Sequence, residues 1–413
     1  MNIYRYSNER SEYHSDTPQL AAGSFIMDDC VKIWGEIMHG GNLRRAYELY
    51  GSDSFIDLSA NINPFGPPTG VWESLKQGMA EIVNYPDPES RFLRKMLSNN
   101  LGIPTESIMV GNGAGNLIFT VVQALKPKKV AIPIPAFSEY ERAARSVGSE
   151  VSYLPLGPEG WAKFNQLDVL SENSRDESYV DQQWREFLQG CDLLFLCSPH
   201  NPTGSLLRKD MLELILRLTK ELGCRILFDE SFLDFLPDEL RQSARTYLET
   251  NEHLIVLYSL TKFYSLPGLR LGTVFAHKSL LARFEKYRDP WSVNVLAQHA
   301  GIAALEDLEF SDDVRKKLRE SRSIFYEEFT CCGFANLRLW PTTVNFALIE
   351  VINHTSGELT QHLGAQGILV RDCANFTGLP GNFIRVAIKD IFVMRQLIEG
   401  LKSQLLTTHV SEI

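Results

Sequence analysis

At 413 residues, 44% hydrophobic and 22% charged, the chain has the make-up of a globular protein large enough to bury more than one core. Its formal net charge of -10, with basic residues scattered rather than gathered in runs, argues against a nucleic-acid partner. The seven cysteines lack metal-ligand spacing and fit reduced thiols, and no apolar run has membrane-spanning or signal-peptide form, so the expectation is a cytoplasmic protein without metal.

Residues 1–37 read as an arm, polar at first and then helically spaced from Phe25 to Met38, which either packs in a dimer or extends freely. Residues 38–76 and 312–413 are expected to form a smaller α+β domain around a larger one at 77–311. In the larger domain, helix-like segments alternate with the apolar runs Ile108–Val110, Val130–Ile134, Val151–Leu154, Leu193–Leu196, Arg225–Phe228, Leu254–Leu257 and Gly272–Phe275. Such alternation predicts a largely parallel sheet covered on both faces by helices, with ligands at the carboxyl ends of its strands. Ser171–Asp181, rich in Ser, Glu and Asp, predicts an exposed insertion. A charged helix over Asp312–Phe329 and strands over Asn345–Val351 and Phe383–Ile388 follow.

The candidate chemistry lies where these runs end. Gly111-Asn-Gly113-Ala114-Gly115 opens a helix whose free N–H groups can face an anion, although most glycine turns only connect elements. Phe137, after the second run, can stack on an aromatic ligand or simply fill core. In Ser198-Pro-His-Asn201-Pro-Thr-Gly204, Pro and Gly fix a turn from which an Asn amide can donate. Asp229 can pair with a protonated pyridine nitrogen or cap a helix. Ser259-Leu-Thr261-Lys262 follows the apolar run Leu254–Leu257, with Arg270 close behind. A lysine in that setting loses its proton easily, as a Schiff-base lysine must, and Ser259, Thr261 and Arg270 are placed to hold a phosphate beside it. Together they point to pyridoxal 5′-phosphate (PLP).

In this order, the features resemble the PLP-dependent enzymes of fold type I, the aspartate aminotransferase fold, over nearly the whole chain from about His39. The resemblance implies an α/β large domain with a mostly parallel seven-stranded sheet. It implies that Lys262 carries the cofactor aldehyde and that Asp229 holds the pyridine nitrogen. Asn201 then contacts the ring hydroxyl, Phe137 stacks on the ring, and Gly113, Ala114, Gly115, Ser259, Thr261 and Arg270 bind the phosphate.

Within that fold, Ser59-Ala-Asn61-Ile-Asn63-Pro64, Tyr85-Pro-Asp-Pro88 and the Arg385 strand are similar to the histidinol-phosphate aminotransferase group and its relatives, the threonine-phosphate decarboxylases of cobalamin biosynthesis. Tyr85 resembles the tyrosine that reaches the cofactor phosphate of a neighbouring subunit, which implies a homodimer with shared active sites. His39-Gly-Gly-Asn42, Phe232 in place of a tyrosine, Asp289-Pro-Trp291-Ser-Val-Asn294 and Arg371-Asp-Cys373-Ala-Asn375 resemble the decarboxylase pattern. By that resemblance Arg371 and Arg385 jointly bind the carboxylate and phosphate of a phosphorylated amino acid, with Asn63, His39 and Asn42 as further substrate contacts. The implied reaction is decarboxylation of O-phospho-L-threonine, with O-phospho-L-serine decarboxylation or histidinol-phosphate transamination as alternatives. Two departures from the pattern are His200, where asparagine is common, and the lack of an acidic residue after the glycine turn.

Overall fold

Apolar strands joined by amphipathic helices bury both faces of a sheet only when the helices cross over it on both sides. The computed structural model of the chain describes residues 40–163 and 177–408 and has that arrangement. The expected arm and His39 lie outside the described residues. After a short strand β1 (Ile56–Asp57) come β2 (Ile108–Gly111), β3 (Lys129–Ile134), β4 (Glu150–Pro155), β5 (Leu193–Cys197), β6 (Arg225–Asp229), β7 (Leu254–Ser259) and β8 (Gly272–Ala276). Strands β2 to β8 form a seven-stranded sheet in the order β2-β8-β7-β6-β5-β3-β4.

Strand β8 is antiparallel to both of its neighbours, and the remaining pairs are parallel. The carboxyl ends of β2, β3, β5, β6 and β7 therefore open on the same edge as the amino end of β8. Alternate residues supply two cores: Leu194, Leu196, Ile226 and Phe228 face one side, and Leu193, Phe195, Leu227 and Leu257 the other.

The second unit is built on β9 (Leu337–Leu339), β10 (Phe346–Val351), β11 (Ile368–Leu369), β12 (Arg371–Asp372) and β13 (Phe383–Ala387). A four-stranded antiparallel sheet runs β12-β13-β10-β9, while β11 pairs parallel with β1. The β1–β11 pair ties the early segment to this unit. The helix Thr69–Gly78, however, packs on the large unit: Val71 joins its core, and Ser74 Oγ donates to the carbonyl of His299 at 3.0 Å. The domain boundary expected at residue 76 therefore moves to before this helix.

The expected helix at Asp312 begins earlier and runs Leu308–Cys331. Its first half buries Val314 and Leu318 in the large unit, and its second half buries Phe325 and Phe329 in the small one, so it binds the two together. The expected insertion is described only from Glu177, where it is the start of a helix, Glu177–Leu188, rather than an open loop. Asp181 on that helix pairs with Arg185 at 3.3 Å and Arg217 at 2.5 Å.

The turn after β5 also meets the small unit. Gly204 has φ 73°, and a Cβ there would overlap Thr342. Gly204→Ala combines a left-handed alanine with overpacking, and is expected to destabilise the fold by about 2–4 kcal/mol, read as a lower urea midpoint.

Candidate active site

Strand β7 ends at Ser259, and the short helix Leu260–Phe263 carries Lys262 onto the open edge of the sheet. Ser259 Oγ caps that turn from 2.7 Å of Thr261 Oγ1 and accepts from the Thr261 N–H. Lys262 keeps part of its surface toward the cleft, but the surrounding protein strips its ammonium of water and lowers its pKa to about 8. Arg385 and Arg270 push the same way, and Asp229 opposes them.

Asn63, expected at the substrate, is committed elsewhere. Its N–H donates to the Lys262 carbonyl at 3.0 Å and its Nδ2 to the Phe263 carbonyl at 2.9 Å, while Oδ1 accepts from the Phe65 N–H at 3.0 Å. Asn63 is thus a brace for the lysine turn, because a buried amide is used up by the backbone it satisfies.

Asp229 at the end of β6 is buried, and desolvation raises its pKa. The Ser231 N–H at 2.8 Å and the Tyr140 hydroxyl at 2.7 Å donate to its two oxygens and hold the rise back. Tyr140 escaped the sequence reading. It stacks on Phe195 at 4.9 Å and meets the edge of Phe137 at 5.6 Å, so Phe137 and Asp229 are held by one side chain. The only signal was its position three residues after Phe137 in the helix Ser138–Ser146.

The glycine turn follows β2, next to β8. The helix Gly113–Leu125 has no side-chain cap, which leaves its first N–H groups free. A Cβ on Gly113 (φ 81°) would lie 2.7 Å from the Arg270 guanidinium, and one on Gly272 would lie 2.5 Å from the Ala114 nitrogen. Arg270 itself sits at φ 59°, a conformation costing about 1–2 kcal/mol for a side chain with a Cβ. Backbone strain thus aims a guanidinium across an uncapped helix start, where only glycine leaves room.

On the opposite side, Arg385 on β13 donates to Asn201 Oδ1 and, at 3.2 Å, to the Ser59 carbonyl. Arg371 on β12 stands directly across from it and donates to Asn375 Oδ1 at 2.7 Å. Both guanidiniums are buried, and desolvation lowers both pKa values, that of Arg385 to about 10. Among the described residues neither has a carboxylate partner within ion-pair distance, and Arg385 Nε has no partner at all. Phe232 is buried against the edge of Phe346, whose ring also carries the Arg385 guanidinium at 5.5 Å.

Asn42 is exposed, and its Oδ1 caps the helix Leu43–Tyr50 by accepting from the Arg45 N–H. Tyr85, expected at the neighbouring subunit's site, is 80% exposed and stacks on Trp291 at 4.6 Å.

Residues 53–401 match the profile of aminotransferase class I and II. The chain belongs to this family. A threonine-phosphate decarboxylase of Salmonella typhimurium is 36% identical over 89% of the chain and 96% of its own length. A histidinol-phosphate aminotransferase of Methanococcus aeolicus is 30% identical over 87% of the chain and 92% of its own length. The crystal structure of L-threonine-O-3-phosphate decarboxylase from Porphyromonas gingivalis superposes with a TM-score of 0.70 at 26% identity, covering 84% of this chain and 98% of that one.

The enzyme is PLP-dependent, as its family is. The residues present fit the cofactor: a lysine of lowered pKa, a buried carboxylate in need of a cation, and an uncapped helix start under an arginine stand on one strand edge. Among the described residues no helix is long and apolar enough to cross a membrane.

The Lys262 shift fixes a pH dependence. Between pH 8 and the usual lysine value of 10.5 the unfolded chain holds a proton that the folded chain has released, so stability of the cofactor-free protein rises with pH across that window. Below pH 8 the buried ammonium costs about 3 kcal/mol. Cofactor-free Lys262→Met is therefore expected to have a higher urea midpoint than the parent at pH 7, with the gap closing toward pH 10.

Proposed function

We propose that this enzyme decarboxylates a phosphorylated amino acid, with O-phospho-L-threonine as substrate and (R)-1-aminopropan-2-ol O-2-phosphate as product. The observation that carries the reading is the pair of buried arginines, Arg371 and Arg385, without carboxylate partners among the described residues. Two buried cations side by side are costly unless an anion completes them, and a guanidinium fork suits both carboxylate and phosphate. The resemblance to threonine-phosphate decarboxylase supports the choice of substrate. The same resemblance suggests that the amine phosphate serves the nucleotide loop of cobalamin.

When bound, PLP supplies an electron-poor ring that takes up the electron pair left as CO2 departs. Lys262 would hold its aldehyde carbon, and Asp229, kept in place by Tyr140 and Ser231, would face its ring nitrogen. Gly113, Ala114, Gly115, Ser259, Thr261 and Arg270 would surround its phosphate, with Phe137 on one face and Asn201 at one edge. Arg371 and Arg385 would grip the substrate's two anionic groups and so hold its α-carbon in one orientation, which would decide whether the carboxylate or the hydrogen is lost. Lys262, carried onto the open edge of the sheet, would be placed to deliver a proton to the α-carbon in place of the lost carboxyl.

Transamination of histidinol phosphate is the second reading, favoured by the 30% identical relative. Phosphoserine differs from phosphothreonine by one methyl, worth only about 1–3 kcal/mol in an apolar pocket.

The protein is further proposed to be a homodimer. Trp72, Val83, Tyr85 and Phe92 are large apolar side chains left exposed within one stretch of chain, and Tyr85 stacks on the half-exposed Trp291. A second copy of the chain covering these side chains would bring Tyr85 to the neighbouring cofactor phosphate. Phe92→Glu is expected to halve the mass seen by sedimentation velocity and to abolish turnover, whereas an unchanged mass would count against this surface.

Holoenzyme incubated with O-phospho-L-threonine is expected to release CO2 and the amine phosphate. Arg371→Met and Arg385→Met should each lower kcat/KM by about 100-fold or more. Glutamate formed from histidinol phosphate and 2-oxoglutarate, with no CO2 from phosphothreonine, would replace this reading by the second.

A further inference from the structure

Strands β3 and β5 are neighbours, yet their paired register covers only Val130↔Leu193 and Ala131↔Leu194. Beyond these positions the ladder stops, and the two carboxyl ends run on toward the cleft without backbone pairing. Those ends carry Phe137, through the Pro135 turn, and Asn201, through the Ser198–Gly204 turn. Something other than the sheet must therefore set the spacing between the residue facing the cofactor ring and the residue at its edge.

His200 fills that gap. It is 2% exposed, and each ring nitrogen meets a different element: Nε2 lies 2.9 Å from the Pro135 carbonyl and Nδ1 lies 2.8 Å from Thr203 Oγ1. A carbonyl only accepts, so Nε2 bears the proton. Burial lowers the His200 pKa to about 3, so the ring is neutral at working pH and Nδ1 is the acceptor facing the Thr203 hydroxyl, which also lies 3.0 Å from Ser205 Oγ. The ring faces around it are fixed by Trp161, stacked at 3.6 Å and 16°. The backbone is locked as well, with the His200 N–H donating to the Ser205 carbonyl at 2.7 Å and the Gly204 N–H to the His200 carbonyl at 2.7 Å. Asn201, the next residue, holds Arg385 through its Oδ1.

We infer that His200 is a positioning residue for the cofactor: its neutral imidazole replaces the missing ladder between β3 and β5 and sets Asn201 against Phe137. This rests on the site reading given above. His200 touches neither substrate nor reacting atoms and acts through Asn201 and the Pro135 turn. An asparagine side chain at this position is shorter and cannot both stack on Trp161 and reach across to Pro135, which gives the departure at 200 a physical role.

Two variants separate positioning from space filling. His200→Phe keeps the stack on Trp161 and deletes both hydrogen bonds, while His200→Gln can restore the donor to Pro135. Each is measured for the unfolding midpoint of cofactor-free protein, for PLP affinity by absorbance titration, and for the absorption spectrum of the loaded protein. His200→Phe is expected to weaken PLP binding about tenfold, the scale of one lost buried hydrogen bond, and to shift the absorption band, with His200→Gln recovering most of the affinity. Wild-type affinity and spectrum in His200→Phe would overturn the inference. So would a loss of affinity that merely tracks a lowered unfolding midpoint in both variants. Should His200→Phe fail to fold, Thr203→Val leaves the ring in place and removes the donor to Nδ1. It is expected to weaken PLP binding severalfold, and an unchanged affinity would overturn the inference. Phe137→Leu and Asn201→Ala run alongside: if neither affects PLP binding, the site reading fails rather than the role of His200.

Discussion

Uncompensated positive charge in a dry cleft is the constraint on which the rest of the structure depends. Lys262, Arg371 and Arg385 are drawn out of water where Asp229 is the counter-charge that acts on the lysine, and every one of the three cations has its pKa pushed down by burial. Protein alone does not settle such a site, because desolvating a cation costs more than a few hydrogen bonds to carbonyls and amides return. Anionic ligands do settle it. A cofactor phosphate at the uncapped helix start and a doubly anionic substrate between the arginines would complete the charges that the fold leaves open.

The fold holds these charges in place by topology. Placing β8 antiparallel between β2 and β7 brings Arg270 to the same edge as the glycine turn and Lys262. The two buried arginines arrive from a different sheet, on adjacent strands β12 and β13, and Arg385 meets Asn201 and the Ser59 carbonyl. The helix Leu308–Cys331 passes through both cores, and Gly204 presses against Thr342, so the two halves of the site are joined by packing.

Much of this is legible in the sequence because buried parallel strands write themselves as apolar runs, and several of those runs lead into a residue with chemistry. Asp229 ends β6, and Lys262 follows the last residue of β7, Ser259, by one short turn. The less legible parts depend on long-range side-chain bonds. Asn63 braces Phe263 across 200 positions, a pairing that no local pattern records. Asn42 carries an ordinary N-cap signal that the family likeness overshadowed. Tyr140 looked like one more residue of an amphipathic helix. The packing of the helix Thr69–Gly78 on the large unit is not legible locally, because its partner surface near His299 lies far along the chain. Strands β1, β11 and β12 have two residues each, too few for any periodicity to show.

The most direct test of the account is a comparison of kcat/KM for O-phospho-L-threonine and L-threonine in the holoenzyme and in its Arg371→Met and Arg385→Met variants. If the buried arginines divide the two anions between them, one variant loses most of the preference for the phosphorylated substrate while the other loses activity on both substrates alike. Equal preference for phosphothreonine in all three proteins would contradict the account, since the phosphate would then be recognised without either arginine.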